Sequence, residues 1–207
     1  MPSAPIDPVV IVSAVRTPLG RFLGDLAPMQ APALGAAAIG AAVQRAGLNP
    51  EQVDEVLMGC VLPAGQGQAP ARQASRGAGL PDRVGATTVN KVCGSGMKAT
   101  MLGHDLLIAG SAQVVVTGGM ESMSNAPYLL ARARSGYRVG HDRLLDHMML
   151  DGLEDAYEPG RPMGDFGEAA ASAYGLTRED QDAFAIETLT RARTTAERVN
   201  EESLRGT

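Results

Sequence analysis

Apolar residues fall in short β-branched runs and longer alanine-rich stretches, separated by turns built on glycine and proline. Val9, Val10, Ile11 and Val12 follow Pro8 and predict a buried strand over 8–14. Thr17-Pro18-Leu19-Gly20 turns the chain. Residues 34–48, rich in alanine with Gly47 near the end, predict a tightly packed helix. A second strand is predicted over 53–62, then a loop of Gly, Gln and Pro, a short helix over 70–78 and a third strand over 87–92. Residues 94–109 predict a helix whose Met97, Met101, Leu102, Leu106, Leu107 and Ile108 leave little polar face. A helix apolar nearly all round is buried on most sides. Val114 to Thr117 form a fourth strand, ending in Gly118-Gly119.

Strands alternating with helices predict an α/β fold with a mostly parallel sheet and a buried central helix. One sheet of four strands does not supply cover for both sides of that helix. After Glu121 the texture changes, and 122–165 are rich in Gly, Pro, Arg, Met and Asp without strand signal. Helical order returns at Thr177-Arg178-Glu179-Asp180, a capping-box-like start. Ala185, Leu189, Ala192, Ala196 and Val199 then recur at amphipathic spacing. A boundary near 120 divides the chain into 1–120 and 121–207.

Composition narrows the partners. Aromatic residues are only 3%, with no Trp, which argues against a base-stacking nucleic-acid platform. A net charge of −5 argues against nucleic acid and anionic membrane surfaces alike. The start lacks a basic segment followed by a long apolar run, so it does not read as a secretory signal. No apolar stretch approaches the roughly 20 residues that span a bilayer. The two cysteines, Cys60 and Cys93, make neither a disulfide framework nor a C-x-x-C pair. A reducing, cytoplasmic setting with free thiols is expected.

Cys93 is the candidate nucleophile. It lies in Val89-Asn90-Lys91-Val92-Cys93-Gly94-Ser95-Gly96, at the junction of a predicted strand and a predicted helix. Free N–H groups and the helix dipole at such a junction favour the thiolate. They also suit an oxyanion formed when a thioester carbonyl is attacked. Gly94 and Gly96 permit close approach of a substrate or a second loop. The competing reading is a small buried hydrophobe. Cys60 is expected in the core. A base is not evident: His104 is eleven positions along the same helix, roughly 16 Å away. His141 and His147 fall in the irregular segment, where exposed or interfacial positions are expected.

VNKVCGSGMKA resembles the signature around the nucleophilic cysteine of the thiolase family. VVIVSAVRTPLGRF, VLPAGQGQAPARQA, GGMESMSNAPY and TREDQDAFA agree in order, so the resemblance covers essentially the whole chain. SNAPYLL and ARSGYRVG favour the acetoacetyl-CoA-forming branch. The resemblance implies a thiolase-like layered fold, with 1–120 as the N-terminal core half and 121–207 as part of an inserted loop domain. It implies an acyl-CoA C-acyltransferase in which the cysteine carries the acyl group as a thioester. A second acetyl-CoA is then condensed onto it, or CoA removes it. Coenzyme A thioesters are substrates, and no bound cofactor or metal is implied.

Carried over position by position, Cys93 matches the nucleophile and its N–H one oxyanion donor. Leu153, in Asp151-Gly152-Leu153, matches a position lining the pantetheine channel. Met163, in Pro162-Met163-Gly164, matches a methionine near the reactive sulfur. Resembling enzymes read M-G-x-T-A-E-N from this methionine, whereas Phe166 and Ala169 stand here, which puts the acyl chain-length preference in question. Arg132, Arg134, Arg138 and Arg143 are candidates for CoA phosphates or for a solvated or subunit-facing loop. Thiolases consist of two similar halves, and the Asn-Glu-Ala-Phe, Gly-His-Pro and Cys-x-Gly motifs of the second have no counterpart here. A continuation or second chain is therefore expected to supply them, in a homo-oligomer, tetramer or dimer. The alternative is a non-catalytic fragment acting as an assembly module or one subunit of a split enzyme. A ketoacyl synthase shares the fold logic but fits the text around Cys93 less well.

Overall fold

The computed structural model describes residues 9–205, with side chains through Thr195. Its contacts divide the chain into two compact units, one ending at Ala156 and one beginning at Tyr157. The change of texture at 120 is not where this division falls, because 121–147 are hydrogen-bonded into the first unit at Val61, Ala64 and Met29.

The first unit is built on three parallel strands in the order β2-β1-β3. They are β1 (Glu55–Gly59), β2 (Gly85–Val89) and β3 (Val115–Gly119). In β1, Val56 to Gly59 are all buried, as expected of a central strand covered on both faces. Side chains alternate across a strand. Val56 and Met58, with Cys60 just beyond, join the core shared with α1 (Ala31–Arg45) and α2 (Pro70–Gly77). Leu57 and Gly59 face α3 (Ser95–Ile108) on the other side. The three helices stop in the same way. In 46–48, 78–80 and 109–111 an alanine is followed by a glycine at positive φ, and the next N–H returns to the carbonyl of Val43, Ser75 or Leu106. This is the Schellman closure, which satisfies the last carbonyls of each helix.

Two expectations need correction. Residues 9–14 form no ladder, and Val10, Ile11 and Val12 are exposed; Pro8 lies outside the described residues. A β-branched run becomes a strand only where another strand presents its N–H and C=O row. None of β1 to β3 does so here. The central helix is likewise covered on one face only. Ser95, Ala99 and Gly103 are buried against the sheet, while Met97 is 75% exposed and Met101 and Ile108 also face outward. Among the described residues a single three-stranded sheet is present to cover it.

Small residues set the distance between α3 and the sheet. A Cβ on Gly59 would stand 2.6 Å from the Gly96 nitrogen, and one on Gly103 2.5 Å from Thr117 Cγ2. Gly59→Ala is therefore expected to lower the urea midpoint by the equivalent of about 1–3 kcal/mol, because backbone rather than a side-chain tip must yield. An unchanged midpoint would remove this contact as the reason for the glycine.

The rest of the first unit is mostly loop. A short antiparallel pair, β4 (Tyr128–Leu129) and β5 (Leu145–Asp146), is followed by a π-helical turn, Met149–Leu153. The second unit holds α4 (Met163–Tyr174) and α5 (Arg178–Arg205). α4 was not expected: Gly164 and Gly167 weaken its helical pattern, and its N-cap, Pro162, offers no side-chain acceptor. α5 begins at the predicted Thr177–Asp180 box, where Thr177 Oγ1 donates to Asp180 Oδ2 and accepts from the Asp180 N–H. Its predicted apolar face is not buried, with Ala185, Leu189 and Ala192 all exposed. The side chains of Ala196 and Val199 lie outside the described residues.

Candidate active site

The turn from β2 into α3 carries Cys93, the candidate nucleophile. Asn90 Oδ1 accepts the Val92 N–H at 2.9 Å, and Val92 takes φ +47°. A β-branched residue in the left-handed region is a genuine outlier, costing on the order of 1–3 kcal/mol, and such strain persists only where surrounding contacts over-determine it. Those contacts come from Ser95, which is 4% exposed. Its hydroxyl accepts the Lys91 N–H at 2.8 Å and donates to the Val92 carbonyl at 2.6 Å. The Gly94 and Ser95 N–H groups close the turn onto Lys91 O and Val92 O, at 3.1 and 3.0 Å. Cys93 is thrust out at the apex, exposed, as the nucleophile elbow requires.

Cys93 opens onto a cavity of about 640 Å³ with a predominantly apolar wall that includes Leu19, Phe22, Leu62, Met120 and Leu153. Two of the predicted site residues, Cys93 and Leu153, therefore line one cavity. Met163 opens α4 in the second unit, partly exposed.

The segment 121–125 holds the cavity walls together, a role its sequence does not announce. Glu121 accepts the Val61 N–H at 2.7 Å on one oxygen and the Leu62 N–H at 3.2 Å on the other. Ser122 Oγ donates to Met29 O at 2.9 Å, Asn125 Nδ2 to Ala27 O at 2.8 Å, and Ser124 Oγ accepts the Leu23 N–H at 2.9 Å. These bonds lace the 23–29 segment and the loop after β1 onto the end of β3. Signals of this kind are absent from local pattern, since the partners stand 59 to 101 positions apart.

The remaining polar candidates sort differently. No described imidazole hydrogen-bonds Cys93. His104 sits on exposed α3 surface, 3.5 Å from Asp105 Oδ1, and His141 is exposed. His147, expected to be exposed or interfacial, is instead buried, because both ring nitrogens find partners. Arg132 pairs with Asp142 and stands 5.7 Å over the Tyr137 ring. Hydrogen bonding from Arg132 holds the Asp142 carboxyl below its ordinary range. Arg134, Arg138 and Arg143 are exposed.

Cys60 is the core thiol its position suggested, 1% exposed. Burial, and then the charge of Glu121, pushes it up to about 11. Limited iodoacetamide at neutral pH is expected to modify Cys93 alone, with Cys60 labelling appearing only as the pH climbs toward 11. Peptide mass spectrometry reads both sites. Equal labelling at pH 7 would contradict the burial of Cys60.

Comparison with known proteins agrees with this geometry. Residues 9–201 match the family described as thiolase, N-terminal domain. An acetyl-CoA acetyltransferase of Cupriavidus necator is 56% identical over 178 residues, covering 86% of this chain and 45% of that protein. An acetyl-CoA acetyltransferase of Schizosaccharomyces pombe is 52% identical over 184 residues, covering 89% and 46%. The crystal structure of the Acat5 thiolase from Ascaris suum in complex with coenzyme A aligns with a TM-score of 0.86 at 38% identity, covering 90% of this chain and 48% of that one. The chain thus spans about half the length of the curated relatives it matches. With an elbow cysteine on an α/β sheet and a family match across nearly all of its described residues, the chain belongs to the thiolase family.

Proposed function

We propose that this chain carries the acyl-accepting half-site of an acyl-CoA C-acyltransferase. The observation that carries the reading is the exposed Cys93 on a strained elbow, facing an apolar cavity that Leu153 also lines. The thiolate of Cys93 attacks the thioester carbonyl of an acyl-CoA, and the tetrahedral oxyanion collapses with loss of the CoA thiol. The acyl group is left as a cysteine thioester. In the synthetic direction the α-carbon of a second acetyl-CoA, after losing a proton, attacks that thioester and releases 3-ketoacyl-CoA and the free thiol. In the reverse direction CoA takes the acyl group. Similarity to a thiolase solved with coenzyme A supports a CoA thioester as the substrate class, with no resident cofactor. In this reading, a homo-oligomer in the cytoplasm uses the reaction in acyl-chain metabolism. The proton-transfer groups and the second oxyanion donor come from residues other than those described.

The test is intact mass spectrometry of the chain incubated with acetyl-CoA. One acetyl adduct at Cys93, reversed by added CoA and without net production of acetoacetyl-CoA, is the expected result. No adduct at a Cys93 that iodoacetamide alkylates readily would overturn the reading.

A second reading is an assembly module or one subunit of a split enzyme. The outward Met97, Met101 and Ile108 of α3 favour it, since monomer surfaces rarely leave one helix face so apolar. Mass analysis of the native preparation separates the two, by showing whether a companion chain travels with this one.

A further inference from the structure

We propose that His147 is a positioning residue for the acyl-thioester site, holding the Leu153 wall of the cavity in place relative to Cys93. The proposal rests on the reading of the cavity given above. His147 does not line that cavity. It stands behind the wall, 4% exposed, and joins three segments.

Its backbone N–H donates to Pro127 O at 3.2 Å, fixing it beside the entry to β4. Its Nε2 accepts the Ala64 N–H at 3.4 Å, on the loop that follows β1. Since Ala64 can only donate, the ring proton is assigned to Nδ1, which lies 2.5 Å from Asp151 Oδ2. Asp151 belongs to the π-helical turn Met149–Leu153, closed by the Glu154 N–H on Met149 O at 2.8 Å. A π turn is uncommon and is found frequently at functional sites. Two residues of this turn, Gly152 and Leu153, are on the cavity wall.

The contact between the two pinned segments is direct. A Cβ on Gly152 would come within 3.4 Å of Leu62 Cδ2, so the turn lies against the Leu62 side chain. From the same loop, Val61 O accepts Asn90 Nδ2 at 3.5 Å, and Asn90 Oδ1 holds the Val92 N–H of the elbow. Leu153 and Cys93 are thus connected through Asp151, His147, the 61–64 loop and Asn90. Removing the imidazole frees the turn and the Ala64 end of the loop, whose Val61 and Leu62 stay bonded to Glu121, and the Leu153 wall shifts while the elbow keeps its own bonds to Ser95.

The experiment follows acetylation of Cys93 by acetyl-CoA in the 207-residue chain, by intact mass, as a function of acetyl-CoA concentration. Alkylation by iodoacetamide is measured in parallel. His147→Ala is expected to raise the half-saturating acetyl-CoA concentration about tenfold. Its maximal rate and its iodoacetamide rate stay within about twofold, because the thiol itself is not touched. Asp151→Ala should reproduce the effect. His147→Gln, which keeps an acceptor for the Ala64 N–H, should recover part of it. Half-saturation unmoved in His147→Ala and Asp151→Ala overturns the positioning role. So does an equal fall in maximal rate and iodoacetamide rate, which marks general loosening. Should His147→Ala fail to fold by circular dichroism, Asp151→Ala decides the matter, its side chain being half exposed. An unchanged chain that alkylates at Cys93 yet takes no acetyl group removes the functional reading, and this proposal with it.

Discussion

Replacing Cys93 with serine is expected to abolish acetyl transfer from acetyl-CoA, by at least about a thousandfold, while the urea midpoint stays within about 0.5 kcal/mol of the unchanged chain. The second half of this expectation follows from exposure: Cys93 is at the surface of the elbow and contributes no core packing. The first half follows from chemistry. A thiol offers some thiolate near neutrality, whereas a hydroxyl needs a base hydrogen-bonded to it. Among the described residues no imidazole stands against Cys93 to activate a serine there. Cys60→Ala is the matching control. Its thiol is buried behind the wall, and the variant should keep acetyl transfer while losing some stability. Intact mass after acetyl-CoA treatment, with urea melts of both variants, tests the pair. Acetylation surviving in Cys93→Ser would move the nucleophile elsewhere.

How much of this was legible before the structure depends on the range of the interaction concerned. β1 could be read because a strand buried on both faces is a continuous apolar run, and β2 and β3 because Thr and Val, which favour strands, cluster between turn residues. α1 could be read from its alanine-rich run with Gly47 near the end, and α3 from its run of apolar residues after Gly94. Val9 to Val12 carry the same kind of run, yet form no ladder here, since a strand depends on a partner that pattern does not reveal. α4 was lost because its glycines argue locally against the helix that forms. At the site, the glycines around Cys93 announced a tight strand-to-helix turn. The positive φ of Val92 and the two bonds made by the Ser95 hydroxyl were not announced, because both arise from closure of the turn. Gly59 is the same lesson in packing: its need shows only when β1 is laid under the start of α3.

Glu121 is where such long-range dependence is expected to have its largest effect on the fold. Its carboxylate satisfies two backbone donors, the Val61 and Leu62 N–H groups, that the end of β1 leaves pointing away from the sheet. Bonds to a charged acceptor are worth about 1.5–3 kcal/mol each in a partly buried site. Glu121→Ala removes both, and water reaching in from the cavity offsets part of the loss. A net cost of about 2–4 kcal/mol is expected. Glu121→Gln keeps one acceptor oxygen but sets an amide N–H₂ where the other stood, so about half that cost is expected. The same substitution has a second, independent reading at Cys60. Burial is the larger reason its thiol is pushed up to about 11, and the Glu121 charge, 3.6 Å away, is the next. Removing the charge in Glu121→Gln should bring the Cys60 titration down from about 11 while leaving it above the ordinary thiol value of 9.0. Alkylation of Cys60 between pH 9 and 10 then rises in Glu121→Gln relative to the unchanged chain, with Cys93 labelling as the internal standard. A urea midpoint and a Cys60 titration both unmoved by Glu121→Gln would mean that the carboxylate does not hold the 60–62 wall in solution.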